Sequence, residues 1–533
     1  MRSRDETTGY AMAAAGRNNG TSPADGDGNG PPQPEAEDTG MLRLVPAVIG
    51  LCLFFLVLLL PPPEGLGREA WGVVAVAVLM IVWWITEAVP VPVTALAPLA
   101  LFPFIGARSM SEAAAPYADP VIFLFMGGFI LAKAMEKWEL HRRVALNIVS
   151  WTGSRQHHVV AGFMIATAFC SMWVSNTATT VMMLPIALSV AELLDPDGRS
   201  DSRFSIALLL GVAYAASIGG VATLIGTPPN ALLAGSLNQA YGYDLGFGRW
   251  MLIGVPVALV MLLISWLLLT RFVVRLSTGE IEGARDIIAS QFEGLGRWSR
   301  GEVLVGIVFV ATAFLWVFRT ALQPILPNLN DSSIAIAAAV ILFLLPSGRK
   351  PGEAVLDWRT ASTLPWGILL LFGGGLSLAS AVAGTGLDQW IGEALGSAAA
   401  YLPLIGLAAL IALVILLLTE FTSNTATAAT FLPLVAALSL TLGENPLMLA
   451  VPAALAASMA FMLPVATPPN AIVFASGKMS IPTMAKVGAW HNLAALVVIS
   501  SLGYLLLTTL FGVTISAVPD WALGTGAAPG SGG

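Results

Sequence analysis

Ser175-Asn176-Thr177-Ala178-Thr179 recurs letter for letter as Ser423-Asn424-Thr425-Ala426-Thr427. In both copies a proline stands ten residues after the serine, Pro185 and Pro433, and each copy interrupts an otherwise apolar stretch. A second pair follows downstream, Gly226-Thr227-Pro228-Pro229-Asn230 and Ala466-Thr467-Pro468-Pro469-Asn470. One Ser-Asn-Thr would be an ordinary helix N-cap, because these side chains satisfy free backbone N–H groups. Two copies in matched context make that reading insufficient. Polar, helix-breaking words duplicated in an apolar chain imply two matched breaks around one polar site.

The 533 residues are 56% hydrophobic and only 11% charged, against about 25% charged in a soluble chain. Residues 251–270 and 402–419 carry no charge and approach the roughly 20 residues that cross a bilayer as a helix. The fold class expected is an all-α polytopic membrane protein. No basic stripe interleaved with aromatics supports a nucleic-acid partner. Cys52 and Cys170 lie in apolar segments and read as small core residues, and the four histidines show no ligand spacing. With no nucleophile–base arrangement, phosphate loop or paired catalytic carboxylates, an enzyme is not expected.

Eleven transmembrane helices are expected, near 42–60, 71–89, 91–107, 119–138, 203–225, 248–272, 302–322, 332–347, 363–384, 446–463 and 488–512. Two further apolar regions, 159–194 and 401–440, are broken at their centres by the repeated word. Each limb offers about 13–18 apolar residues, marginal for a full crossing, so both regions read as re-entrant hairpins. Exposed backbone at their tips is tolerable where it lines a polar cavity. The domain plan follows: a disordered cytosolic tail over 1–40, a first transmembrane helix within 41–70, a first repeat over 71–275, a cytosolic linker over 276–301, a second repeat over 302–515 and a disordered tail over 516–533.

Charge placement orients this plan. With the N-terminus cytosolic, 21 of the 25 Lys and Arg residues fall inside, and Arg68, Arg108, Arg249 and Arg319 fall outside. The C-terminus then lies outside, and a plasma (inner) membrane location is expected. The span with Met126-Gly127-Gly128 runs inward, and its counterpart with Phe372-Gly373-Gly374 runs outward. Segments matched in sequence and opposed in direction are an inverted repeat. Its two hairpin tips approach one another from opposite faces.

Helix N-termini at such tips carry free N–H groups and a partial positive charge that attract an anion. Asn amides and Thr hydroxyls add neutral donors, while carbonyls of an opened turn suit a hard cation. No Lys or Arg lies in either tip or either Thr-Pro-Pro-Asn loop. A divalent anion there needs bound cations for charge balance, which makes the two bindings mutually dependent. Glu420, an ionisable group at membrane depth, is a functional candidate by position. Glu87, just before Pro90, reads as structural.

Ser458-Met459-Ala460-Phe461-Met462-Leu463-Pro464-Val465-Ala466-Thr467-Pro468-Pro469-Asn470-Ala471-Ile472-Val473 resembles the signature of the divalent-anion/sodium symporter family. That family holds sodium-coupled dicarboxylate, citrate and sulfate carriers of the INDY-like type. Thr419-Glu420-Phe421-Thr422-Ser423-Asn424-Thr425 and Ile85-Thr86-Glu87-Ala88-Val89-Pro90 are also similar to it, and the resemblance covers about 42–515. It implies sodium at Ser171, Ser175, Asn176 and Gly226 in the first half, and at Thr419, Thr422, Asn424 and Ala466 in the second. It implies a substrate held by Asn176, Thr177, Asn424 and Thr425, with Thr227, Thr467 and Pro468 closing the pocket. Two or more co-transported sodium ions, a homodimer and an elevator-type motion are further implications. The hydroxyls five residues before each Asn, Ser171 and Thr419, favour symport over uncoupled exchange. A C4-dicarboxylate such as succinate, malate or fumarate leads as cargo. Sulfate or citrate symport and dicarboxylate exchange remain open, and a channel is disfavoured because tips that meet form an occluded site.

Overall fold

Apolar residues placed in a bilayer must satisfy every backbone group within the segment, and this chain does so almost wholly with helices. The computed structural model describes residues 44–194, 202–277, 279–387, 389–391 and 402–523. Among them there are helices and two isolated bridges, Arg155 with Glu280 and Pro346 with Ala354, but no strand. Among the described residues eight helices are long and apolar enough to cross a membrane by length and composition. The tail expected over 1–40 lies outside the described residues.

Both interrupted regions are helical hairpins. The first has arms Gln156–Ser171 and Asn176–Glu192; the second has arms Leu404–Leu418 and Asn424–Thr441. In each, the repeated word begins the second, inner arm, and the matched proline lies inside it. The Thr-Pro-Pro-Asn words also break helices. Arg203–Gly220 stops and Pro228–Tyr241 restarts; Leu447–Ala457 stops and Pro468–Phe474 restarts. The prolines stand in the first turn of each restarted segment, where a missing N–H costs no helical bond. They open the chain by starting a helix, not by kinking one.

These broken spans are the interior of the molecule. Arg203–Gly220 and Leu447–Ala457 are buried almost throughout. Each packs against its own hairpin, while the restarted segments cross to the other half. Pro468–Phe474 lies on the first inner arm, Asn176–Glu192, and Pro228–Tyr241 lies on the second, Asn424–Thr441. The two halves are thus interlocked at their breaks. Each half closes with a long apolar helix, Phe247–Phe272 and Ile481–Leu510, and each of these widens to π geometry over five residues, Leu268–Phe272 and Ile499–Gly503.

Four differences from the expected layout have local causes. The spans expected near 42–60, 91–107, 332–347 and 446–463 fold as shorter apolar helices, within Leu44–Leu59, Val91–Ile105, Asp331–Leu344 and Leu447–Ala457. Asn330, capping the Ser333 N–H, and the Pro446 and Ser458 flanks shorten two of them. The basic segment after Lys137, to which no span was assigned, is an amphipathic helix, Leu140–Ser150, with Leu140, Leu146 and Val149 buried. The 276–301 linker holds the helix Ala284–Gly294, fastened by Arg142 to Gln291 at 2.9 Å and by Arg143 to the Leu295 and Gly296 carbonyls at 3.1 Å. Finally, the tail expected from 516 is docked as far as Leu523. Trp521 stacks on Tyr243 at 4.4 Å, and Glu444 accepts the Ser516 N–H at 2.7 Å. An apolar ring with a partner overrides the Gly- and Ala-rich composition around it.

Candidate functional site

The Asn that opens each inner arm is met by the hydroxyl five residues before it. Ser171 Oγ donates to Asn176 Oδ1 at 2.6 Å and also lies 2.7 Å from the Ala216 carbonyl. Thr419 Oγ1 lies 2.5 Å from Asn424 Oδ1 and 3.1 Å from the Ala457 carbonyl. The two triads are chemically the same, one per half. A hydroxyl carries one proton, so it cannot donate to both oxygens at once. Three oxygens gathered with one proton between them are a ready set of ligands for a hard cation.

The opened helices add further oxygens. Asn230 Nδ2 donates to the carbonyls of Gly220, Val221 and Thr223 at 3.3, 3.2 and 2.7 Å. Asn470 Nδ2 donates to those of Ala460 and Leu463 at 3.3 and 3.1 Å. Counted from the Thr-Pro-Pro-Asn words, 220 matches 460 and 223 matches 463. Each asparagine therefore gathers the same unwound turn in its own half. Their Oδ1 atoms are buried without a partner. Sequence reading found these words through their prolines and overlooked the asparagine amides.

Gly226 N donates to Thr223 Oγ1 at 3.1 Å, and the Gly226 carbonyl faces Gly220. A Cβ on Gly220 would stand 2.7 Å from Asn176 Oδ1 and 3.0 Å from the Gly226 oxygen. A side chain there would enter the first cluster. Ala466 is buried at the end of a single tight turn, Pro464–Ala466. Ser175 is exposed, and its hydroxyl caps the Ala178 N–H at 3.2 Å. Thr422 turns toward Thr427, Oγ1 to Oγ1 2.7 Å, and also donates to the Leu418 carbonyl.

The residues expected to meet an anion divide into two groups. Thr177 and Thr425 are half-buried in the first turns of the inner arms, and no intrachain hydrogen bond uses their hydroxyls. Free donors at a helix N-terminus are suited to a carboxylate. Thr227 and Thr467 are buried caps of the restarted segments. Thr227 Oγ1 lies 3.4 Å from Ser458 Oγ, a contact between the two halves, and Thr467 Oγ1 accepts the Asn470 N–H. Pro468 is exposed beside it. Among the described residues no group of three or more His, Cys, Asp or Glu side chains could hold a metal ion. The oxygens available are neutral.

Glu420 is not turned toward the triad. Its Oε1 accepts the Phe461 and Met462 N–H groups at 2.8 and 3.0 Å and the Asn492 amide at 2.7 Å. Its Oε2 accepts those of Met462 and Leu463 at 3.1 and 3.0 Å. Hydrogen bonds to a charged group contribute about 1.5–3 kcal/mol each, so the carboxylate is firmly committed to this loop.

The family model for the sodium:sulfate symporter transmembrane region matches residues 42–513. A protein named sodium-dependent dicarboxylate transporter SdcS from Staphylococcus saprophyticus is 43% identical over 484 residues, covering 89% of this chain and 93% of that protein. Its namesake from Staphylococcus aureus strain USA300 is 41% identical with the same coverage. Among solved structures, the YdaH transporter of Alcanivorax borkumensis shares the fold, with TM-score 0.51 at 14% identity, over 88% of this chain and 98% of that one.

Proposed function

The chain belongs to the sodium:sulfate symporter family, and on that premise we propose that it is a secondary transporter carrying a small dicarboxylate across a membrane together with sodium ions. The observation that carries the reading is the duplicated triad, Ser171–Asn176–Ala216 and Thr419–Asn424–Ala457. The family and its relatives describe a transporter rather than an enzyme. The relatives' names support a dicarboxylate, and of these we put a C4-dicarboxylate such as succinate, malate or fumarate first; the family description makes sulfate the rival cargo.

In this reading sodium is cargo. Ser171, Ser175, Asn176 and Gly226 hold one ion; Thr419, Thr422, Asn424 and Ala466 hold another. Asn176, Thr177, Asn424 and Thr425 donate to the anion, and Thr227, Thr467 and Pro468 border it. The ions balance the anion's charge where no Lys or Arg does, so each ligand raises the other's affinity. The repeats are inverted, with the N-terminus cytosolic and the C-terminus outside in a plasma (inner) membrane. The working unit is a homodimer in which the hairpins and broken spans travel as one elevator-like body.

The test is uptake of radiolabelled succinate into proteoliposomes with an imposed sodium gradient, with sulfate and citrate as competitors. Accumulation that follows the sodium gradient supports symport; uptake indifferent to sodium removes it.

A further inference from the structure

The two cation clusters match in their triads but not in what holds their loops. Counted from the shared word, Glu420 stands three residues before Ser423, and Met172 stands three residues before Ser175. In the first half the opened turn is fastened by neutral groups. Thr223 Oγ1 donates to the Met172 carbonyl at 2.5 Å, and Trp250 Nε1 donates to the Val221 carbonyl at 2.9 Å. In the second half the matching turn, Phe461 to Leu463, gives three successive N–H groups to the Glu420 carboxylate, and Asn492 gives a fourth donor. Glu420 is 2% exposed, and among the described residues no Lys or Arg is paired with it.

We propose that Glu420 is a positioning residue that makes the two cation sites unequal, holding the second opened turn by its charge and lending that site a negative field the first lacks. The proposal rests on the sodium-coupled reading above. Every contact to the carboxylate comes from an N–H donor, the surroundings of an ionised group. Its charge is therefore fixed beside Thr419, the hydroxyl of the second triad. In a poorly polarisable interior such a charge acts on a nearby ion more strongly than in water. With its N–H groups turned onto Glu420, the same turn leaves its Ala460 and Leu463 carbonyls to Asn470. The carboxylate thus holds the turn that follows the Ala457 carbonyl of the second triad and attracts the cation without touching it. The second site fills at lower sodium than the first.

The test follows the melting temperature of the purified full chain as sodium chloride replaces choline chloride at constant ionic strength, with no dicarboxylate present. Ligand at free concentration L, bound only to the folded state, raises stability by RT ln(1 + L/Kd), so the sodium midpoint is the apparent dissociation constant fitted to that rise. Glu420→Gln is expected to raise this midpoint about tenfold or more, a difference of about 1.4 kcal/mol or more, while the rise at higher sodium persists. Glu420→Asp, which keeps the charge, stays within about threefold of native. Asn492→Ala, which loosens the carboxylate and keeps its charge, raises the sodium midpoint two- to threefold. A purely structural role would lower melting equally in both salts and leave the sodium midpoint in place, which overturns the proposal. If Glu420→Gln does not fold, an unchanged sodium midpoint in Asn492→Ala overturns it. A native protein that does not respond to sodium removes the symport reading and this proposal together. A native protein that responds, with variants that titrate like it, removes this proposal alone.

Discussion

The two hairpin tips differ in what covers them. At the first, Trp173 stacks on Phe247 at 6.1 Å and meets Phe309 edge-on at 5.0 Å, and Ile225 is buried against Gly128. At the second, the corresponding Phe421 and Val465 are 74% and 78% exposed. The first tip is held from outside by packing; the second is held from within by Glu420 and Asn492. The two triads thus share one geometry while their supports differ. On the proposed reading, what the cargo meets is specified twice, while each half is stabilised in its own way.

The severest way to break the comparison is to remove the shared element. Asn176→Ala or Asn424→Ala should cut succinate uptake by about 100-fold or more, with each variant still present in the membrane. On the proposed reading each amide serves the cation cluster and faces the anion site, and two bonds to charged groups come to about 3 kcal/mol or more. Near-equal losses would confirm that the halves contribute equally; normal uptake by either variant would place the site elsewhere.

A subtler change exploits one unmatched position. The first half has Gly220 where the second has Ala460. Gly220→Ala pushes a methyl toward Asn176 and the Gly226 carbonyl, at about 1–3 kcal/mol for forced packing. Sodium concentration for half-maximal uptake should rise roughly tenfold. Ala460→Gly should change it by less than about threefold, being near the mean cost of a flexible residue alone. Equal effects would erase the distinction between the clusters.

Hydroxyl swaps are milder. Thr419→Ser and Ser171→Thr keep the oxygen and should leave sodium dependence within about threefold. Ser171→Ala and Thr419→Ala remove it and should each raise the sodium requirement about tenfold, near 1.4 kcal/mol. Sodium titrations of uptake separate the two outcomes.

The smallest effects lie at the covers and are read by thermal unfolding, not transport. Trp173→Ala should cost about 2 kcal/mol of stability through the lost aromatic contacts. Phe421→Ala should stay within about 0.5 kcal/mol, as for an uncovered side chain. If Phe421 proved the costlier, the second tip would have a cover that this conformation does not display.

The residues legible in the sequence were those whose polarity stood out against an apolar background. The two Ser-Asn-Thr words and the two proline loops were visible because each had a twin, while the hydroxyls at 171 and 419 entered through the family resemblance. Glu420 was visible as an anomaly, yet its role was not, because its partners at Phe461 to Leu463 are backbone N–H groups that leave no trace in side-chain identity. The same holds for the Ala216 and Ala457 carbonyls, whose part depends on where a helix happens to end. Leu140–Ser150 was given no element because it is too short and too basic for a span, although Ala145, Leu146 and Val149 stand at helical i, i+3 and i, i+4 spacing. Trp521 was hidden in a Gly- and Ala-rich terminus, and only its contact with Tyr243 distinguishes it.

The triads described above consist of hydroxyls, amides and peptide carbonyls, none of which gains or loses a proton in the range where proteins stay folded. On the proposed reading the groups that touch the ligands thus have one electrical state at every working pH, and Glu420 behind the second triad is the one carboxylate the proposal adds to them. Where Glu420 keeps its charge, acid and base act on the passenger instead. As the medium is acidified toward the ionisation range of a small dicarboxylic acid, the divalent form becomes scarce while the receiving surfaces stay as they were. The pH profile of transport then becomes a titration of the cargo, and its midpoint shifts when one diacid is exchanged for another.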